Sequence, residues 1–379
     1  MKRIGIEAQK LFSRNKHGMD VVAMELIRNL QIIDHHNEYV IFVQPGEDKC
    51  LQPTKNFRFV EVQSSSLPVW EQYELPRAAK HEKVDILHCT SNTAPLFLNI
   101  PLVVSLHDIM YLESFKFLGS NDTLRHKLGN LYRRFIVPRI VKTADRIITV
   151  SEFERKRICN FMHIDMQKVN VVYNGVGDHF KPVTEPKVLN GIRQKYNLPP
   201  KYILFFGSTD PKKNTEKTLK AYVKYVLASS QKLALVIPDY PENQLESILS
   251  KLGHPALRER IYLPGYVVNT DLPAIYSMAD AFLYPSLHES FGIPPLEAMA
   301  CGTPVITSNT SAMPEICGEG ATFVDPTRSE TITQALLRLQ NDDELRNQLI
   351  HSGFQRWPLF TWHNTAQATL AIYNDMLEQ

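Results

Sequence analysis

Short apolar runs of four to six residues alternate with amphipathic stretches along most of the chain. "RIGIEA" (3–8) predicts a first strand. "DVVAMELIRNLQII" (20–33) predicts a helix, with Asp20 as N-cap and Val21, Met24, Ile27 and Leu30 on one stripe. Further strands are predicted at 38–43, 57–62, 85–89, 102–108, 146–151 and 169–173. These runs are nearly continuous in apolar character. Such strands suit a parallel sheet with helices on both faces.

The pattern breaks at 174–200, where "NGVGDHFKPVTEP" and "NLPPKY" concentrate turn-forming residues. A second alternation follows. Strands are predicted at 202–207, 232–238, 260–266, 281–286, 303–307 and 321–326, and helices at 215–227, 241–251, 271–278 and 295–300. Three helical stretches end the chain. The expected fold class is α/β, with two doubly wound, Rossmann-like parallel-sheet domains in tandem and a cleft between them. The boundary is expected near 180, and ligands are expected at the carboxyl ends of the strands.

Composition narrows the function. The chain has 379 residues, enough for two cores, with 44% hydrophobic and 22% charged residues. A net charge of +2 gives no reason to expect nucleic acid as a partner. "MKRIGIEAQKLF" carries Glu7 and Gln9 where a secretory apolar core would lie, so no signal peptide is expected. No apolar run approaches the ~18 residues that span a bilayer. Five scattered cysteines without C-x-x-C point to reduced thiols in a cytoplasm.

The phosphate-binding fingerprints are absent. "GVGDHF" (175–180) has Phe180 at the third glycine position, and no P-loop pattern occurs. A different anion site is expected after strand 202–207, where "GSTDPKKN" puts Lys212 and Lys213 just before a helix start. Free N–H groups and the helix dipole would add to two ammonium charges; a solvated lysine pair is the plainer alternative.

Two acids bracket "ESFGIPPLE" (289–297). Proline restricts the residue before it, so Ile293 and Pro294 are expected to be extended, with Pro295 opening the helix. Glu289 would then lie in the loop and Glu297 in the first helical turn. Gly292 permits an unusual backbone conformation. Taken alone, Glu289 could be an exposed loop acid and Glu297 a dipole partner.

The stretch "PSLHESFGIPPLEAMACGTPVITSNTSAMPEI" (285–316) resembles the E-x₇-E region of family-4 retaining glycosyltransferases of GT-B fold. "GSTDPKKN" (207–214) is similar to that family's diphosphate loop. "SLHDIMYLE" (105–113), "ADRIITVSEFERKRI" (144–158) and "VVYNGV" (171–176) resemble its N-terminal domain, and 360–377 its terminal crossing helix. The resemblance implies an acceptor-side domain at 1–180 plus 361–379 and a nucleotide-sugar domain at 181–360. It implies that Glu297 accepts from the ribose hydroxyls and that Glu289 contacts the transferred sugar. Phe291, Gly292 and Ile293 would offer backbone contacts. Lys213, with Lys212 beside it, would neutralise the leaving diphosphate, and His107 would face the reacting sugar. Gly18, the one glycine of "NKHGMDV" (15–21), stands where the family has a richer glycine loop.

The implied activity is retaining transfer of a hexose from a nucleotide diphosphate sugar to a glycan or lipid-linked hydroxyl, in cell-surface polysaccharide synthesis. GDP-mannose is the preferred donor, and neither cofactor nor metal is expected. An epimerase or hydrolase on the same fold, or a sugar-nucleotide-binding module, are the alternatives. Segment 123–142 carries Arg125, Lys127, Arg133, Arg134, Arg139 and Lys142 and no acid, so it could rest on an anionic membrane at the cytoplasmic face.

Overall fold

A computed structural model describes residues 1–378 except 15, 17 and 114–123, and only the backbone of 124–127. The chain forms two units, Met1–Gly175 with Trp362–Gln379, and Val176–Thr361.

The first unit contains seven strands: β1 (Arg3–Glu7), β2 (Glu38–Val43), β3 (Phe57–Glu61), β4 (Ile86–Cys89), β5 (Leu102–Ser105), β6 (Arg146–Thr149) and β7 (Val169–Val171). Their order is β3-β2-β1-β4-β5-β6-β7, and every pairing is parallel. Successive residues face opposite sides of a strand, so β2 sends Tyr39, Ile41 and Val43 into one core and Val40 and Phe42 into the other. Burial on both faces explains the continuous apolar runs. Helix Gly18–Ile33 starts two residues earlier than expected, so Asp20 lies in its first turn rather than at its cap.

The terminal helix Trp362–Glu378 belongs to this first unit. Its Ala366 and Tyr373 join the core of Ile4, Ile6 and Leu30. Tyr373 OH lies 2.6 Å from His88 Nδ1, and Thr365 Oγ1 donates to the Tyr173 carbonyl at 2.7 Å.

The second unit has six strands: β8 (Tyr202–Phe205), β9 (Ala234–Val236), β10 (Ile261–Tyr262), β11 (Ala281–Tyr284), β12 (Val305–Ser308) and β13 (Ala321–Val324). The order is β10-β9-β8-β11-β12-β13, again all parallel. One core contains Ile203, Phe205, Leu235, Leu283 and Ile306 under helices Thr215–Ala228 and Ser329–Asn341.

The division falls at 175/176 and 361/362, against the expected 180/181 and 360/361. Local bonding explains the difference. Val176 N donates to the Phe360 carbonyl at 3.0 Å, and the Phe180 ring packs edge-on against Tyr276 of the second unit.

Each sheet reverses its winding once, between β1 and β4 and between β8 and β11. At such a switch point the two connections leave in opposite directions and open a crevice at the strand ends.

Candidate active site

The loops after β8 and β11 meet at the second unit's switch point. Asp210 caps a 3-10 turn, Pro211–Lys213, by accepting from Lys212 N at 3.0 Å. Asn214 then takes φ +59°, a left-handed conformation that asparagine tolerates better than most residues. Its amide donates to the carbonyls of Pro285 (3.0 Å) and Pro326 (2.7 Å). Leu287 N donates to the Lys212 carbonyl at 2.7 Å. These bonds lock the lysine loop to the ends of β11 and β13. Helix Thr215–Ala228 starts directly afterwards.

Lys213 is thereby aimed inward. Its ammonium donates to Glu289 Oε1 at 2.7 Å and to Tyr284 OH at 2.6 Å. Lys212 does not join it; its ammonium lies 3.5 Å from the half-exposed Asp210 carboxylate. The expected lysine pair is one inward cation and one rim cation.

Glu289 is positioned from the loop after β12. Its N–H donates to Ser311 Oγ at 3.1 Å, and its carbonyl accepts from Ala312 N at 3.3 Å. Phe291 is buried, edge-on to Phe360 with 5.8 Å between ring centroids. Gly292 then adopts φ +94°, ψ +65°. A Cβ there would lie 2.2 Å from Met313 Cε, a flexible tip that would have to shift, and the positive φ strains any side chain at this position.

The proline expectation needs correcting here. The helix spans Ile293–Ala300, so Ile293 and Pro294 are helical rather than extended. Gly292 turns the chain alone, and the prolines fill early helical positions where no intrahelical N–H is needed. Glu297 consequently lies in the second turn. Two of the first four helical residues lack N–H, so this terminus offers an anion fewer donors than an ordinary helix.

Glu297 is half-buried, and its Oε2 accepts from Tyr276 OH at 3.0 Å. Burial pushes its carboxyl up to about 7, partly opposed by the Tyr276 hydrogen bond. Tyr284 lies within electrostatic reach of both Glu289 and Glu297, and its own phenol is held well above its ordinary range by burial and by these acids. Lys213, Glu289, Glu297 and two phenols therefore share one end of one sheet.

In the first unit, His107 follows β5. Its N–H donates to Asn92 Oδ1 at 2.7 Å, and its Nε2 lies 3.0 Å from the Thr90 carbonyl. A carbonyl only accepts, so Nε2 carries the proton and Nδ1 keeps its lone pair. Burial lowers the ring's pKa. Thr90 is fixed by Glu7 at the end of β1: its N–H donates to Glu7 Oε2 at 3.0 Å and its hydroxyl to the Glu7 carbonyl at 2.8 Å. Gly18 is the first residue of its helix, with open space where a Cβ would lie.

Tyr276, Tyr284, Asn214 and Thr90 were not singled out from sequence. Tyr284 had a faint signal, as a phenol closing an apolar strand directly before "PS". Tyr276 had none, because a buried tyrosine in a helix reads as core.

Among the described residues, no helix is long and apolar enough to cross a membrane. Comparison with known proteins completes the picture. The family model described as "Glycosyl transferases group 1" matches residues 190–356, and "Glycosyltransferase Family 4" matches 17–179. O-antigen chain mannosyltransferase B of Escherichia coli is 31% identical over 273 residues, covering 72% of this chain and 69% of that protein. The serotype-specific mannosyltransferase WbdA of Escherichia coli is 26% identical over 74% of this chain, which spans only 34% of that longer protein. The structure of Anabaena Alr3699/HepE in complex with UDP-glucose superposes with a TM-score of 0.71 at 18% identity, covering 99% of this chain and 100% of that one. With one family model on each domain and that identity over that length, the chain belongs to the group 1/family 4 glycosyltransferases of GT-B fold.

Proposed function

We propose that this glycosyltransferase moves a hexose from a nucleotide diphosphate sugar to a hydroxyl of a glycan or lipid-linked acceptor, with retained anomeric configuration, in polysaccharide synthesis. The observation that carries this reading is the convergence of Lys213, Glu289 and Glu297 on the β8/β11 switch point. A cation at a strand end beside a helix start suits a diphosphate. A half-buried carboxylate with one oxygen already held suits a ribose diol.

In this mechanism the bond between the anomeric carbon and the diphosphate oxygen breaks. The acceptor oxygen bonds the same carbon on the same face, and its proton passes to the departing phosphate. Lys213 offsets the charge that grows on the leaving group, with Lys212 at the rim. Glu289 contacts the sugar, and Phe291, Gly292 and Ile293 supply backbone contacts. His107 keeps an Nδ1 lone pair that can accept from a sugar hydroxyl. Gly18 leaves room for donor or acceptor at the head of its helix. No metal is required in this reading.

Mannose is the favoured sugar, because the two relatives described above are mannosyltransferases, and GDP-mannose the favoured donor. The UDP-glucose of the structural neighbour supports the donor class rather than the base. The free cysteines accord with a cytoplasmic enzyme. The basic residues of helix Leu124–Thr143 support peripheral contact with an anionic membrane.

The test is a donor screen across UDP-, GDP-, ADP- and TDP-sugars, repeated for Lys213→Ala and Glu297→Ala. Donor binding unchanged in both variants would overturn the assignment.

A further inference from the structure

Tyr276 lies on helix Leu272–Met278, which precedes β11. Its ring is fully buried in an aromatic cluster, with centroids 5.2 Å from Phe282, 5.7 Å from Phe206 and 6.1 Å from Phe180. Its carbonyl accepts from Thr303 Oγ1 at 2.6 Å. Ring and backbone are thus both fixed, and only the hydroxyl torsion is free. That hydroxyl donates to Glu297 Oε2 at 3.0 Å.

Nothing in the ring packing requires a hydroxyl. A phenylalanine would fill the cluster, and a buried O–H costs free energy unless it is paired. The hydroxyl's purpose must lie with its acceptor. We propose that Tyr276 is a positioning residue of the donor site, holding one Glu297 oxygen so that the other faces the ribose hydroxyls of a sugar nucleotide. This inference rests on the reading of Glu297 as the ribose acceptor.

A donor to a carboxylate favours the ionised form. The titratable groups facing Glu297 are the phenols of Tyr276 and of Tyr284 on β11, and the thiol of Cys301 just past the end of its own helix. Arg356, from the adjoining helix Asp343–Arg356, is turned to the carbonyls of Glu315 and Ile316. Tyr276 is therefore the group that opposes burial and favours the ionised Glu297, the form that two ribose hydroxyls need as acceptor.

The experiment is calorimetric titration of GDP-mannose and UDP-glucose from pH 5.5 to 9, without acceptor. These donors carry diesterified diphosphates, which do not titrate in that range. In the wild type, affinity rises with pH about a midpoint near 7. In Tyr276→Phe the midpoint moves up by about one pH unit, affinity at pH 7 falls about five- to tenfold, and most of it returns at pH 9. Glu297→Gln binds weakly at every pH. Glu297→Asp keeps a titrating acid but withdraws it from the hydroxyl, and loses affinity across the range. A Tyr276→Phe profile with an unmoved midpoint overturns the proposal, whether its affinity is uniformly reduced or unchanged. Wild-type affinity in Glu297→Asp overturns it equally. Wild-type affinity in Glu297→Gln defeats the reading of Glu297 itself, a result seen without reference to Tyr276.

Discussion

The Lys213 ammonium is held 2.7 Å from Glu289 Oε1, with both side chains largely buried at 22% and 12% exposed. The cation assigned to the diphosphate is thus held by the acid assigned to the sugar. Each orients the other before donor arrives. Lys213→Ala should lower kcat/KM by about 10²–10³-fold, the scale of removing one donor to a developing anion. It should also destabilise the free protein by about 1–3 kcal/mol, because Glu289 loses its buried partner. Urea unfolding of Lys213→Ala, Glu289→Ala and the double variant checks the coupling. The double variant should cost about 1 kcal/mol less than the two singles added together. Additive singles would show that the pair is incidental.

Gly292 and Met313 make a second testable pair. A Cβ at Gly292 meets Met313 Cε at 2.2 Å, and φ +94° strains any L-residue. Gly292→Ala should destabilise by about 1–3 kcal/mol, mainly from backbone strain, with a smaller part from displacing the methionine tip. Met313→Ala empties buried space on its own, so relief shows as coupling: Gly292→Ala/Met313→Ala should cost less than the two singles added together. Thermal unfolding of the three variants reads both terms. Additive singles would mean that strain alone sets the cost of Gly292→Ala.

Much of the architecture was legible in the sequence. Every strand run stated from the apolar pattern overlaps a strand, because two-sided burial makes these runs conspicuous. The ends were less legible. β10 retains only Ile261 and Tyr262 of a seven-residue run. The helix starts earlier than the prolines suggest because the restriction that Pro294 places on Ile293 is a preference only, and the positive φ of Gly292 that precedes the helix has no local signature. Lys213 and Glu289 stood out as charged residues at strand ends. Their mutual bond did not, since it depends on Asn214 joining loops 71 and 112 residues away in the chain.

His107 should be neutral at pH 7, with the proton on Nε2. Its Nε2 faces the Thr90 carbonyl, and burial lowers its pKa below the ordinary 6.5. A depressed histidine pKa contributes stability that is complete above 6.5 and lost as pH falls through the folded-state value. Nitrogen-15 NMR of the imidazole should show the Nε2–H tautomer unchanged between pH 6.5 and 8. A protonated ring at pH 7 would contradict it. His107→Ala should lower turnover more than it lowers nucleotide affinity.

Helix Leu124–Thr143 presents Leu128, Leu131 and Phe135 at 58%, 64% and 53% exposure. Their spacing puts them along one side of the helix. Arg139 stacks 3.7 Å over Phe135, and Lys142 is exposed beyond it. Arg134 does not contribute to this face, because it donates to the carbonyls of Tyr111 and Leu112. The side chains of Arg125 and Lys127 lie outside the described residues. An apolar strip with basic neighbours suits an anionic bilayer. Leu131→Glu/Phe135→Glu should reduce flotation with phosphatidylglycerol vesicles at least tenfold. Nucleotide binding should be unchanged. Equal flotation of both proteins would remove the membrane reading and leave the transferase reading intact.

Glu297 exposes a conflict between stability and binding. Its carboxyl titrates at about 7 in the folded protein, against an ordinary 4.5, because burial penalises the charge. Between these values the folded state holds a proton that the unfolded state has released. Folding stability from this group is therefore highest below about 4.5. It declines as pH rises through about 7, by on the order of 3 kcal/mol in total. The ionised acid is retained at neutral pH at the expense of the fold, as expected of a group kept for a ligand. Glu297→Gln should remove this slope. The variant should be more stable than wild type at pH 8 and nearly equal to it at pH 5, while binding donor more weakly at pH 8. Urea unfolding at the two pH values, paired with donor titration, measures both effects. A variant less stable than wild type at pH 8 would show that the charge is stabilised in the free protein, and that burial is not what raises its pKa.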